Sequence, residues 1–193
     1  MDQIICAGKH LHFCRAANGW EYVQRARASQ GVTIVAITPE NKIVLVEQHR
    51  TPLARRTIEL PAGLVEGSGA GNAEAVEAAV KRELQEETGY ACERVTVVAA
   101  GSSTPGLTDE INALCLAQGL QRSDDRIETL DCGDGVTKQV RPRGIEEEGE
   151  RITVYEVPVD GARKWLDQRG KEGVVVDLKV FAGLYFVVTG AGK

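Results

Sequence analysis

Short apolar runs separated by turn residues dominate this chain, and only one stretch sustains a long helical pattern. GVTIVAI (31–37) and KIVLVEQ (42–48) are rich in β-branched residues, with Thr38-Pro39-Glu40-Asn41 between them as turn chemistry. That pattern predicts a β-hairpin. Upstream, LHFCRA and WEYVQRA flank Asn18-Gly19, a strong hairpin signal. A short strand is expected over 57–60, halted by Pro61 and Gly63, with others over 94–100, 111–117 and 151–158. Residues 119–149 are polar and glycine-bearing, which predicts a long loop with one short strand at 136–140. Closing helices are expected over 162–169 and 174–188, the latter opening in a β-like valine run.

The helical stretch is 73–88, built of good helix formers without proline. Asn72 suits its N-cap, Glu74 the positive end of its dipole, and Gly89 the left-handed position after its last turn. No internal repeat or long linker divides the chain. The expected organisation is one α+β domain over 31–193, preceded by an amino-terminal β extension over 1–30.

Composition narrows the function classes. A length of 193 residues, with 42% hydrophobic and 26% charged content, describes an ordinary globular protein with a full core. The net charge of −5 argues against a nucleic-acid partner, which leaves a basic footprint. No apolar run approaches the roughly 20 residues that span a bilayer. MDQIICAGKH lacks the basic-then-apolar order of a secretory signal. Five cysteines (Cys6, Cys14, Cys92, Cys115, Cys132) include no C-x-x-C pair, so free thiols in a reducing cytoplasm are expected rather than zinc.

The one unusual feature is KRELQEETGY (81–90). On a helix Glu83 and Glu87 point about 40° apart, with Glu86 about 60° further round. Val76, Ala79 and Val80 lie on the same side, so the acids continue a core-facing stripe. A solvated charged face normally alternates sign, because like charges at i,i+4 repel. Here only Arg82 is placed to answer Glu86. Oxygen-only ligands at this density suit Mg²⁺ or Mn²⁺, which water and substrate phosphates would complete. Helix geometry alone leaves a metal site and a solvated surface both open.

Glu74, seven intervening residues and then Arg82-Glu83-Leu84-Gln85-Glu86-Glu87-Thr88-Gly89-Tyr90 resemble the Nudix box, E-x7-R-E-U-x-E-E-x-G-U, where U is bulky and apolar. Every specified position in that part matches. The family's leading glycine sits six residues before the first glutamate, where this chain has Ser68; Gly63, in LPAG, supplies it if the loop carries a five-residue insertion. The resemblance implies an α/β/α sandwich with a mixed central sheet and hydrolysis of a nucleoside diphosphate joined to another group. It implies metal ligands at Glu83, Glu87, Glu86 and the carbonyl of Ala62, with Arg82 orienting the glutamates and Glu74 supporting the helix start.

Residues outside the box indicate the branch. Pro105, fifteen positions after Tyr90 in SSTPGLTDE, resembles the proline that marks ADP-ribose pyrophosphatases, although Pro-Gly also makes ordinary turns. VLVEQHR followed by TIELPAGLVEG is similar to that branch, placing Arg50 on the diphosphate and Glu59 near the terminal ribose. A guanidinium suits a diphosphate oxygen pair. Trp20, Glu21 and Arg25 resemble the segment that holds adenine there, partly across a homodimer; a tryptophan packed in a hairpin core is the plainer alternative. Aligning the last strand of that branch assigns the general base to Glu150, with Glu148 next. Among the three histidines none has a motif, and His49 is expected to be structural.

The expectation is a Mg²⁺-dependent cytoplasmic homodimer that converts ADP-ribose to AMP and ribose 5-phosphate. Cleavage of a GDP- or UDP-hexose by the same chemistry is the nearest rival. A non-catalytic nucleotide sensor is the rival of another class, but such proteins commonly lose box glutamates and this chain keeps them.

Overall fold

A computed structural model describes residues 2–27, 30–65, 72–123, 126–140 and 152–190. Its first element is an antiparallel sheet of β1 (Gln3–Ala7), β2 (Leu11–Arg15) and β3 (Glu21–Arg25), in that order. The Asn18-Gly19 signal does close β2 onto β3. Gly19 takes φ +89° and donates its N–H to Ala16 O, while Ala16 N bonds Trp20 O, making a bulged loop rather than a two-residue turn.

The next two strands, β4 (Gln30–Ala36) and β5 (Lys42–Arg50), correct the hairpin expectation. They share one bridge, Ile37 to Ile43, and a Thr38 N–H to Lys42 O bond, then enter different sheets. The reason is burial. Residues 31–36 and 43–48 are buried throughout, so each strand needs packing on both faces.

The remaining strands are β6 (Arg55–Glu59), β7 (Ala62–Leu64), β8 (Tyr90–Ala91), β9 (Arg94–Gly101), β10 (Ile111–Gln118), β11 (Gln121–Arg122), β12 (Glu128–Asp131), β13 (Thr137–Val140), β14 (Thr153–Pro158) and β15 (Val175–Val176). One mixed sheet runs β7-β4-β10-β9 and another β12-β13-β14-β5-β6-β15; β8 pairs with β11. The polar 119–149 stretch therefore holds more strand than expected. β12 and β13 form a hairpin that extends the larger sheet, and β12 is exposed throughout, so no apolar alternation announced it.

Among the described residues three α-helices cover the sheets: α1 (Ala73–Thr88), α2 (Ala162–Lys171) and α3 (Leu178–Thr189). The caps of α1 are as its sequence predicts. Asn72 accepts the Glu74 N–H at 3.0 Å, and Gly89 sits at φ +70°. Val76, Val80 and Leu84 of α1 pack on Val32, Ile34, Val44, Val46 and Cys115. Burying Leu84 alone stabilises the fold by about 2 kcal/mol. The opposite core joins Leu166 of α2 and Val180 of α3 to Val35, Leu45, Ile58 and Leu60. The expected helix over 174–188 is β15 followed by α3, because Val175 and Val176 pair with Thr57 and Ile58 before Asp177 caps the helix. Among the described residues no helix is long and apolar enough to cross a membrane.

Candidate active site

The carboxylate stripe of α1 faces β7. Leu60 and Pro61 carry the chain from β6 in the larger sheet to β7 in the smaller, with Pro61 O accepting the Ile34 N–H at 2.8 Å. This lays Ala62, Gly63 and Leu64 alongside Thr33, Val32 and Gly31 of β4. Glu87 Oε2 accepts the Ala62 N–H at 3.1 Å. Glu83 lies so close to Gly63 that a Cβ there would fall 1.9 Å from Glu83 Cδ and Oε1. Gly63 thus has a steric role in this chain: any side chain would expel Glu83.

Arg82 ties the cluster together. Its guanidinium bonds Glu83 Oε1 at 2.7 Å, Glu86 Oε2 at 2.8 Å and the Leu64 carbonyl at 3.2 Å. Burial pushes the Glu83 carboxyl above its usual range; Arg82 draws it back, and Glu86 raises it further. Glu86 itself is exposed and pairs with Arg82. Among the described residues no three acidic, histidine or cysteine side chains converge closely enough to form a complete metal cage. The donors that do meet here are a half-buried carboxylate destabilised by burial, a second carboxylate, and backbone. Such an oxygen-only, incomplete set fits a hard divalent cation that completes its shell with water and phosphate.

Arg50 and Glu59 meet in a bidentate pair, Nε to Oε1 and Nη2 to Oε2, both 2.7 Å. Thr57 Oγ1 also donates to Glu59. Adjacent antiparallel strands β5 and β6 place them there, and Glu59 is only three residues before Ala62.

The amino-terminal residues meet the Pro105 loop. Trp20 Nε1 donates to Gly106 O at 3.2 Å, Val23 N to Leu107 O at 2.8 Å, and Gln24 Nε2 to Asp109 Oδ2 at 2.7 Å. Arg25 forms an ion pair with Glu110. Trp20 keeps an exposed indole, 60% accessible, so the packed-core alternative does not describe it. Glu21 points instead to Arg15, at 2.7 Å on the neighbouring strand. Pro105 lies in a tight turn closed by Leu107 N to Thr104 O at 2.9 Å. Glu110 accepts from Asn112 Nδ2 at 3.0 Å, and Asn112 stands opposite Gly31, which stands opposite Leu64. At about 4.8 Å per strand, this row sets Asn112 about 10 Å from Leu64 of β7.

Sequence reasoning missed Glu110 and Asn112. The Arg25–Glu110 pair spans 85 residues, and no local pattern signals it. His49 is exposed, in register with Arg56. Glu148 and Glu150 lie outside the described residues.

Comparison with known proteins adds family context. The family description "NUDIX domain" matches residues 28–171. The chain is 43% identical over 94 residues to a methanol dehydrogenase activator of Bacillus methanolicus, covering 49% of this chain and 48% of that one. It is 33% identical over 138 residues to an ADP-ribose pyrophosphatase of Bacillus subtilis (strain 168), covering 72% and 63%. An ADP-sugar pyrophosphatase of Mus musculus is 28% identical over 198 residues, with 94% and 83% covered. The match thus spans about half the length of the first relative and under two thirds of the second. In fold, the chain resembles the crystal structure of an ADP compounds hydrolase, with a TM-score of 0.66 at 16% identity, covering 98% and 90%.

Proposed function

The chain belongs to the Nudix family, and from that premise we propose that it is a Mg²⁺-dependent pyrophosphatase that cleaves ADP-ribose to AMP and ribose 5-phosphate. The observation that carries this reading is the seating of the box acids on β7: Glu83 against the bare Cα of Gly63, Glu87 on the Ala62 amide.

Glu83, Glu87 and the Ala62 carbonyl would hold the cation, with Glu86 in reserve on the exposed flank. When bound, Mg²⁺ (or Mn²⁺) supplies charge neutralisation at the diphosphate and an acidified water. The rest falls to the chain. Arg82 fixes the glutamates in place through its bonds to Glu83, Glu86 and Leu64 O. Arg50 offers a planar fork to the diphosphate oxygens, and Glu59, which already orients that fork, offers acceptors to the ribose hydroxyls. Trp20 presents a flat ring to the base, and Arg25 and the Pro105 turn hold that segment in position. Glu150, or alternatively Glu148, takes the proton of the attacking water.

Exposed Ile4, Ile5, Leu11 and Phe13 on the amino-terminal sheet support a homodimer formed through residues 1–30. Five free cysteines support a reducing, cytoplasmic setting. The test is a substrate panel with Mg²⁺ read by nucleotide chromatography. ADP-ribose should give AMP and outpace GDP-mannose and UDP-glucose. Faster turnover of either hexose would replace this reading, and no turnover of any would favour a non-catalytic nucleotide sensor.

A further inference from the structure

On the face of the smaller sheet opposite α1 lies an open cavity of about 220 Å³, flanked by α3. Thr33, Ser102, Ser103, Asn112 and Lys179 are its polar lining; Ala100, Leu114 and Ala182 are among its apolar walls. Alternation along β4 separates it from the carboxylates, since Val32 and Ile34 enter the α1 core while Thr33 points away. Thr33 is 1% exposed, and its Oγ1 has no hydrogen-bond partner. A buried hydroxyl left unpaired is costly, so a ligand that reached Thr33 Oγ1 from the cavity would gain a bond there.

The remaining groups define what that ligand is. Lys179 is neutralised by Asp177 at 2.7 Å, and Glu110, behind Asn112, is neutralised by Arg25. With both charges answered, the mouth favours neither an anion nor a cation. Small side chains on both walls, Ala100 from β9 and Ala182 from α3, leave a slot between sheet and helix. Its volume equals the share of about seven waters. A polyol would need partners on every side, whereas most of the surface these walls expose is apolar.

We propose that this cavity is a ligand site separate from the carboxylate helix, taking a neutral, flat heterocycle of nucleobase size whose polar edge bonds Thr33 Oγ1. The proposal does not depend on the activity assigned above.

Titrating the ¹⁵N-labelled full chain with adenine and with nicotinamide tests it, with cyclohexanol as an apolar control. At about millimolar concentration, a scale suited to so small a ligand, at least one heterocycle should give saturable shifts at the Thr33, Asn112 and Ala182 amides. Thr33→Val keeps the shape and should weaken that binding about fivefold. Ala182→Phe, at an exposed helical position, should abolish it by filling the slot. Absence of saturable shifts overturns the proposal. So does unchanged affinity in Thr33→Val, cyclohexanol binding as tightly, or shifts confined to 20–25 and 104–110 that Ala182→Phe leaves intact.

Discussion

Gly63 and Glu83 share a space that admits only one side chain: a Cβ on Gly63 would sit 1.9 Å from the Glu83 carboxyl. The neighbour it meets is the far end of a flexible side chain, not backbone. Gly63→Ala should therefore leave the fold within about 1 kcal/mol of the parent, because Glu83 can swing outward. Turnover should still fall at least about a hundredfold, the scale expected when a catalytic group moves by an ångström. A thermal melt beside kcat on ADP-ribose checks both halves.

Glu87→Gln separates charge from packing in the same cluster. The amide oxygen can still accept the Ala62 N–H, so stability should hold while turnover drops by about a hundredfold. Near-normal turnover would remove the metal-ligand role assigned to Glu87.

The Arg25–Glu110 pair gives a pH dependence with a definite sign. Burial alone would raise the Glu110 carboxyl, but the bonds from Arg25 and Asn112 outweigh it and hold the group below its usual range. The folded state then binds fewer protons than the unfolded chain between those two values, so stability rises with pH there. The contribution is complete above the usual carboxylate range and is lost as pH falls through the depressed value. Urea unfolding across the acid range should show a shallower pH slope for Glu110→Gln.

Glu156 on β14 is buried and accepts from Tyr90 Oη at 2.8 Å, Arg122 at 2.6 Å and Thr137 at 3.1 Å. Removing the cation strands a buried carboxylate. Arg122→Ala should cost about 3–5 kcal/mol in denaturant unfolding. Adding Glu156→Gln should recover part of that loss; an additive double variant would deny the coupling.

Thr33→Val should raise the stability of the ligand-free protein by about 1 kcal/mol, because it replaces an unpaired hydroxyl by a methyl. That corresponds to a melting shift of about 2–4 °C for a chain of this size. A lower melting temperature would mean that the hydroxyl is satisfied in solution.

Legibility followed the range of the interactions. The bounds of α1 were readable because Asn72, Glu74 and Gly89 act within one turn of the helix ends. Arg50 and Glu59 could each be named from the resemblance, but the bond between them follows from the pairing of β6 with β5. The fate of 31–48 was not. Thr38 to Asn41 do make the expected turn, with Asn41 at φ +58°, but pairing beyond it is decided by the distant strands β10 and β14. β12, the partner of the strand expected over 136–140, was illegible for a different reason: an exposed edge strand needs no apolar face. Trp20 and Arg25 could be named from sequence, while their partners in the Pro105 loop depend on tertiary contacts alone.

The passage from Glu59 to Ala62 also acts as a ruler. Three residues reach at most about 10–11 Å, and both residues between, Leu60 and Pro61, are locked in the interior. The distance between the arginine-held acid on one sheet and the α1 acids beside the other is thereby nearly fixed. Selectivity for linkage length would then be written into the backbone rather than into any side chain that touches the substrate.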